Sequence, residues 1–382
     1  MIDRDAAQRA DDTRAARRGA SRIDRVLAEI DALVDADEAA DRSISGAWRT
    51  FADILAAEQA HAWDAYSIDL LPDAASYRSL DRSQRRALQR VFATIYRAES
   101  VVDDWMDRIV AAIPVEDEDE DASTGYQGLR AVLKGQEHDE RMHRGSLLRV
   151  AKEVFGVEAE DVERLARRSN NFVAEMLFAR FEEEMAHLLR PNRPLADVFT
   201  AIFIYGILSE DVVANSDVAI RRANHNDKYA EFGLPGMREG QTNVRRDEGR
   251  HVRIAVLASR KFLDDHEGAA ERLVAVSTEY MDLADRLLVL AKRSYGVIDA
   301  HLRESYGPDV DALYYYLVNM KRLAVRLDEL GLLEAVRDIR RRVERAVGEF
   351  ADDRRRPIID EPTPLARRFG PTVLRVVRKV RH

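Results

Sequence analysis

The sequence predicts an all-α fold, a helical bundle with additional flanking helices, on three observations. Glycine and proline are scarce, at 18 and 10 of 382 residues, while alanine, leucine, arginine and glutamate are abundant, so local preference is helical almost throughout. No alternating apolar–polar run is long enough to build a sheet. The breaks between periodic stretches carry turn chemistry, as in IPVEDEDEDASTG (113–125), RPNRP (190–194) and FGLPG (232–236).

In chain order, residues 20–42 read as a charged amphipathic helix, followed by 45–70. Long helices are expected over 82–113, 126–155, 160–190, 195–225 and 240–264, then over 268–296, 309–330 and 332–350. Three regions result: an N-terminal charged helical extension (1–44), the bundle (45–350) and a basic C-terminal tail (351–382). The tail stretch LARRFGPTVLRVVRKVRH (365–382) carries six Arg or Lys and no acid. It is either an arm packed on its own protein or disordered, or a peripheral contact for a membrane surface or partner. The acidic EDEDED run reads as a solvated loop, with a divalent-cation site as the alternative.

Hydrophobic residues make up 46% of the chain, enough to fill a sizeable core. Charged residues reach 34% with a net charge of −9, which argues against a nucleic-acid surface. There is no cysteine, so disulfides, thiolate nucleophiles, zinc fingers and iron–sulfur clusters are excluded, and His and carboxylates are left as metal ligands. The N-terminus has no apolar signal region. The longest apolar run, VFTAIFIYGIL (198–208), is too short for a transmembrane segment. A cytoplasmic protein is the expectation.

Four of the nine histidines follow a glutamate by three residues: Glu58/His61, Glu140/His143, Glu184/His187 and Glu248/His251. Chance supplies about one such pair in a chain of this composition. Positions three apart share a helix face, so such a pair can converge on one ion, and carboxylate with imidazole suits iron or manganese. Ferritin-like dinuclear bundles use two such pairs and one further glutamate from each of two other helices. Glu99 lies 41 residues before Glu140, and Glu210 lies 38 before Glu248. The two halves are offset by 111 residues at the single glutamates and 108 at the pairs, as a pseudo-symmetric bundle requires.

A rival set, Glu29, Glu58/His61, Glu153 and Glu184/His187, has similar offsets but poorer surroundings, near charged helices and helix ends. Glu210 instead follows eleven apolar or small residues, 198–208, closely enough to be buried with them. A carboxylate there is costly unless it is paired or metal-bound. A salt bridge to an arginine is the alternative.

These residues carry a resemblance. FARFEEEMAHLLRPNRPLADVFTAIFIYGILSEDVVANSDVAI (178–220) and LPGMREGQTNVRRDEGRHVRIAV (234–256) resemble the ligand-binding oxidases related to the ribonucleotide reductase small subunit. AWDAYSIDLL, LDRSQRRALQRVFATIYRAESVVDDW and EHDERMHRG are similar in the same order, so the resemblance covers roughly 60–330. It implies a ferritin-like bundle holding two metal ions, Mn/Fe or Fe/Fe, with dioxygen as oxidant and a long-chain fatty acid bridging the metals. The implied ligands are Glu99, Glu140, His143, Glu210, Glu248 and His251, the set that spacing and burial select. Asp247 would orient a ligand histidine.

The resemblance also implies an ether cross-link between Val102 and Tyr205, with ordinary core residues as the alternative. On a straight α-helix, Tyr205 lies about 140° from the Glu210 face, which places the phenol badly. Ser100 departs from the family, which has an acid there.

Three functions compete. The first is a dioxygen-activating oxidase acting on a long apolar ligand held among 82–113, 160–190 and 195–225. The second is a ribonucleotide reductase small-subunit-like radical protein; Leu147 stands where its radical tyrosine is expected, and the basic tail does not suit it. The third is a non-catalytic, metal-dependent lipid-binding bundle. Homodimerisation is implied by the resemblance.

Overall fold

The computed structural model describes residues 27–36, 39, 48–114, 123–169, 172–223, 227–294, 297–307 and 309–352, which are helices and connecting turns without a strand. Most of the N-terminal extension, the centre of the acidic loop and the basic tail from 353 onward lie outside the described residues. Packing divides the chain into two units, Ala40–Glu279 and a second made of Met1–Ala39 with Tyr280–His382.

After α1 (27–36), the helices are α2 (Phe51–His61), α3 (Leu71–Ser79), α4 (Arg82–Ala112), α5 (Tyr126–Arg149), α6 (Ala159–Ser169), α7 (Phe172–Leu188) and α8 (Leu195–Phe203). There follow α9 (Ser216–Ala223), α10 (Lys228–Glu231), α11 (Pro235–Asp265), α12 (Ala269–Arg293), α13 (Val297–Tyr306), α14 (Ala312–Glu329) and α15 (Leu333–Asp352). Two π-helical stretches interrupt the α pattern, Val150–Val154 after α5 and Ile204–Asn215 between α8 and α9.

In the first unit, α4, α5, α11 and the run from α8 through the π segment form a four-helix ring. Helix α4 packs on α5, α5 on α11, α11 on α8 and the π segment, and α8 closes on α4. Local chemistry explains the ends. Asp81 caps α4 by accepting from Ser83 N and Gln84 N at 2.7 and 2.9 Å, and Gln84 Oε1 accepts from Asp81 N at 2.9 Å. Thr50 and Asp53 form the same reciprocal box at the start of α2. Helix α8 is apolar nearly all round, which is the pattern of a helix buried on every side; Val198, Phe199, Ile202 and Phe203 are all buried.

Helix α11 begins at Pro235, five residues before the sequence expectation. Proline is suited to the first helical position, where its missing N–H has no intrahelical partner, so FGLPG both separates α10 from α11 and supplies the first residues of α11. The stretch expected as 45–70 breaks into α2, a short 3₁₀ turn at Ala65–Ser67 and α3. Asp64 caps the turn by accepting from Tyr66 N at 2.8 Å. Close approach of α11 to the π segment depends on Gly206, where an added Cβ would lie 2.4 Å from Ala255 Cβ.

The second unit has its own core, including Leu317, Met320, Leu323, Leu327 and Ile339. Arg342 ties Asp282, Asp285 and Asp338 at 2.6–2.8 Å, and Lys321 pairs with Asp31 at 2.8 Å.

Candidate metal centre

The ring of four helices turns six side chains inward at one level: Glu99 from α4, Glu140 and His143 from α5, Glu210 from the π segment, Glu248 and His251 from α11. They form two groups, Glu99–His143–Glu248 and Glu140–Glu210–His251, and within each group the candidate ligand atoms lie within 4.8 Å of one another. His143 Nδ1 is 3.3 Å from Glu99 Oε2, and His251 Nδ1 is 3.5 Å from Glu210 Oε1. The two paired glutamates reach both rings. Glu140 places one oxygen 3.6 Å from His143 Nδ1 and the other 3.1 Å from His251 Nδ1. Glu248 does the same at 3.7 and 3.9 Å.

This set fits two metal ions. His143 Nδ1, His251 Nδ1, Glu210 Oε2 and Glu248 Oε2 are buried atoms with no hydrogen-bond partner, which a folded protein rarely leaves without a ligand. The far nitrogen of each ring meets an aspartate, His143 Nε2 with Asp247 Oδ2 at 3.0 Å and His251 Nε2 with Asp139 Oδ2 at 3.1 Å. A proton held there on Nε2 leaves the Nδ1 lone pair for a metal and fixes the ring's orientation. The bracing is crossed, since each aspartate precedes the glutamate of one pair and holds the histidine of the other. Trp63 Nε1 also donates to Asp247 Oδ2 at 2.6 Å, with its ring 6.3 Å from that of His143.

Asp139 was not foreseen. The signal was present, because an aspartate precedes the glutamate in both pairs, DERMH at 139–143 and DEGRH at 247–251.

Tyr205 donates its phenolic O–H to Glu140 Oε1. The π segment removes the geometric difficulty of its position. With i→i+5 hydrogen bonding, residues five apart return to one face, so Tyr205 and Glu210 both address the centre. Val102 lies in α4, and its side chain, like that of Ser100, is outside the described residues. Leu147 is part-buried and packs against the apolar cluster around Phe92 and Val150.

The rival residues do not assemble. Glu29 belongs to the other unit and is exposed. His61 and His187 are exposed as well. Glu153 pairs with Arg149 at 2.7 Å, and Glu184 with Arg180 at 3.0 Å. Glu58 is partly buried, its carboxylate lying over Gly135.

Electrostatics describe a site that takes up protons in place of cations. Burial pushes the Glu210 carboxyl up to about 7, and burial with the Glu210 charge raises Glu248 well above the carboxylate range. Burial also raises Glu99. Burial opposes charge on the two rings, yet Glu99 beside His143 and Glu210 beside His251 hold both well above ordinary imidazole. Burial works against the Glu140 carboxylate too, but His251 and His143 bring it below its usual range. Burial, then Glu140, raises the Tyr205 phenol, which stays protonated.

Metal binding needs ionised carboxylates and neutral rings, so loading must expel protons. Manganese(II) affinity is therefore expected to fall by more than tenfold between about pH 8 and about pH 6 as protons compete for these groups. Titrations at several pH values, with released protons counted in weak buffer, check this.

Beside the centre lies an apolar pocket lined by residues including Ile95, Leu147, Val150, Met237, Gly240 and Val244. Ile95 is one turn before Glu99, Leu147 one turn after His143 and Val244 one turn before Glu248, so the pocket adjoins the Glu99–His143–Glu248 group. Apart from α4, its walls come from α5 and the π stretch after it, α10, α11 and the Ala65–Leu70 stretch, not from the expected 160–190 and 195–225 segments. Among the described residues, no helix is long and apolar enough to cross a membrane.

No protein-family model and no curated protein matches the chain. Solved structures do. A variant R2-like ligand-binding oxidase with an aerobically reconstituted Mn/Fe cofactor is 20% identical, with 74% of this chain and 98% of that one covered at a TM-score of 0.54. A variant with an aerobically reconstituted Fe/Fe cofactor is 21% identical over 73% and 92%, also at 0.54. A third, with anaerobically reconstituted Mn/Fe, is 20% identical over 73% and 92% at 0.53. The chain thus has the all-α, ferritin-like fold of the R2-like proteins, as expected.

Proposed function

We propose that the protein is a dioxygen-activating dinuclear metal oxidase that binds a long-chain fatty acid or similar apolar ligand. Glu99, His143 and Glu248 would hold one ion and Glu140, Glu210 and His251 the other, with Glu140 and Glu248 each turning an oxygen toward both histidines. The ions are Mn/Fe or Fe/Fe, since the oxygen-rich, mixed imidazole set suits those metals and the structural neighbours carry them. When bound, such a pair supplies the redox chemistry for reducing dioxygen.

The observation that carries the reading is Tyr205. A generic metal bundle has no need of a buried phenol five residues before a ligand glutamate, delivered to Glu140 by a π-helical turn. Ether formation with Val102 would break the Tyr205 O–H and one Val102 C–H bond and form an O–C bond. The two electrons and two protons pass to dioxygen. The chain's own part is to hold the phenol protonated and buried, with Asp139 and Asp247 fixing the rings. Leu147 at the position of the radical tyrosine disfavours the reductase-subunit reading.

The direct test is oxygen uptake after loading with iron(II) and manganese(II). Steady consumption with a long-chain fatty acid present, beyond the one dioxygen per metal pair that oxidation of the metals themselves uses, supports an oxidase, and uptake that stops there leaves a metal-dependent lipid binder.

The apolar ligand is proposed to enter where Ile95, Leu147 and Val244 line a cavity of about 20 Å³, which must widen to admit a chain of methylenes. Gly240→Leu would fill it, because a side chain there points at Ser146 and Ile68, 3.4 and 3.5 Å from a Cβ. Each methylene displaced from burial costs about 0.8 kcal/mol, so losing two or three is expected to weaken fatty-acid binding about tenfold or more. Metal stoichiometry should be unchanged. A fluorescent fatty-acid titration and metal analysis measure the two separately. A cytoplasmic homodimer completes the reading, resting on composition and resemblance.

A further inference from the structure

The crossed bracing of the two histidines converges on one further residue. Arg250 is buried, at 2% exposure, on the same helix as Glu248 and His251. Its Nη2 donates to Asp139 Oδ2 at 2.9 Å and to Asp247 Oδ1 at 2.7 Å. Asp139 holds His251 of one group, and Asp247 holds His143 of the other. A single guanidinium nitrogen is thus hydrogen-bonded to both aspartates that orient the two rings.

The pseudo-symmetry of the halves fails at this position. Three residues after Asp247 stands Arg250, whereas three after Asp139 stands Met142. The neighbouring Arg141 offers no substitute, because it is exposed and pairs with Asp107 at 3.2 Å and with Glu137. Two buried aspartates therefore share one buried cation. Charged hydrogen bonds of this kind are strong, and removing their donor leaves both acceptors in a low-dielectric interior without compensation.

We propose that Arg250 is a positioning residue common to both metal sites, so that its loss weakens the two together. The inference rests on the dinuclear reading above. A brace to one aspartate alone would affect one site. A brace to both makes the orientation of His143 and of His251 depend on the same side chain.

The test uses manganese(II) alone under anaerobic conditions, with calorimetric titration and electron paramagnetic resonance on the full chain. Wild type is expected to bind two ions per chain and to show the spectrum of a coupled pair. Arg250→Met is expected to weaken both sites about 10–100-fold, the cost typical of losing an outer hydrogen-bond partner, and to lose the coupled signal at limiting metal. Asp139→Ala should weaken only the site at His251. Two ions bound by Arg250→Met with wild-type affinity, or weakening confined to one site, would overturn the proposal.

If Arg250→Met shows no cooperative thermal transition, Arg250→Lys decides. It retains the positive charge but is shorter, so a smaller loss at both sites is expected, and wild-type affinity at both would overturn the proposal. Wild type binding fewer than two ions would instead contradict the dinuclear reading itself.

Discussion

Replacing Glu248 with alanine is expected to remove metal from both sites, not one. Its two oxygens face the two histidine rings at 3.7 and 3.9 Å, so each ion would lose a ligand. Loss of an outer hydrogen-bond partner alone costs about 10–100-fold in affinity, so loss of a shared ligand should cost at least about 100-fold at each site. Glu99→Ala is the control, since it touches one group only and should leave the second ion bound.

The metal-free form should respond in the opposite sense. Burial and Glu210 raise the Glu248 carboxyl well above its ordinary value. A group shifted upward in the folded state costs stability wherever the unfolded chain would ionise it, which includes neutral pH. Relief of that cost opposes the cavity left by truncation, so the melting temperature in chelator is expected to hold or rise. In the presence of metal it should fall below that of wild type, because bound ligand no longer stabilises the fold. Metal analysis and calorimetry with and without chelator read both signs.

Aerobic loading with iron(II) and manganese(II) is expected to remove two hydrogens from the chain, localised by peptide mass spectrometry to the segments holding Val102 and Tyr205. Tyr205→Phe should abolish the change completely while binding both metals. The phenol reaches Glu140 directly and is buried, at 3% exposure, which leaves it positioned for reaction and shielded from solvent. An unchanged mass with two metals bound would leave the metal centre standing and remove the cross-link.

The juxtaposition of the six candidate ligands was legible because they obey helical arithmetic. Glutamate and histidine three apart, separated by 38 and 41 residues from lone glutamates, leave few ways to build a ring of four helices. Burial of Glu210 was legible from the apolar run before it.

What was not legible depends on backbone hydrogen bonding and on packing. Nothing in YGILSE announces a switch to i→i+5 bonds, so Tyr205 looked misplaced until the π segment was seen. Asp139 escaped notice because one aspartate before a glutamate is common in an acidic chain, and its importance is the hydrogen bond to His251 across the bundle. The ligand was expected among 82–113, 160–190 and 195–225, and of these only 82–113 lines the pocket, through Ile95. Helix α11 begins at Pro235 and so carries Gly240 on the pocket wall, while Gly236 lets the helix approach the Asp69 carbonyl closely.

The most direct test of the dinuclear centre is anomalous scattering from crystals of the protein loaded with iron and manganese. Two peaks per chain are expected, one bounded by Glu99, His143 and Glu248 and the other by Glu140, Glu210 and His251. A single peak, or metal bound away from these six residues, would contradict the account.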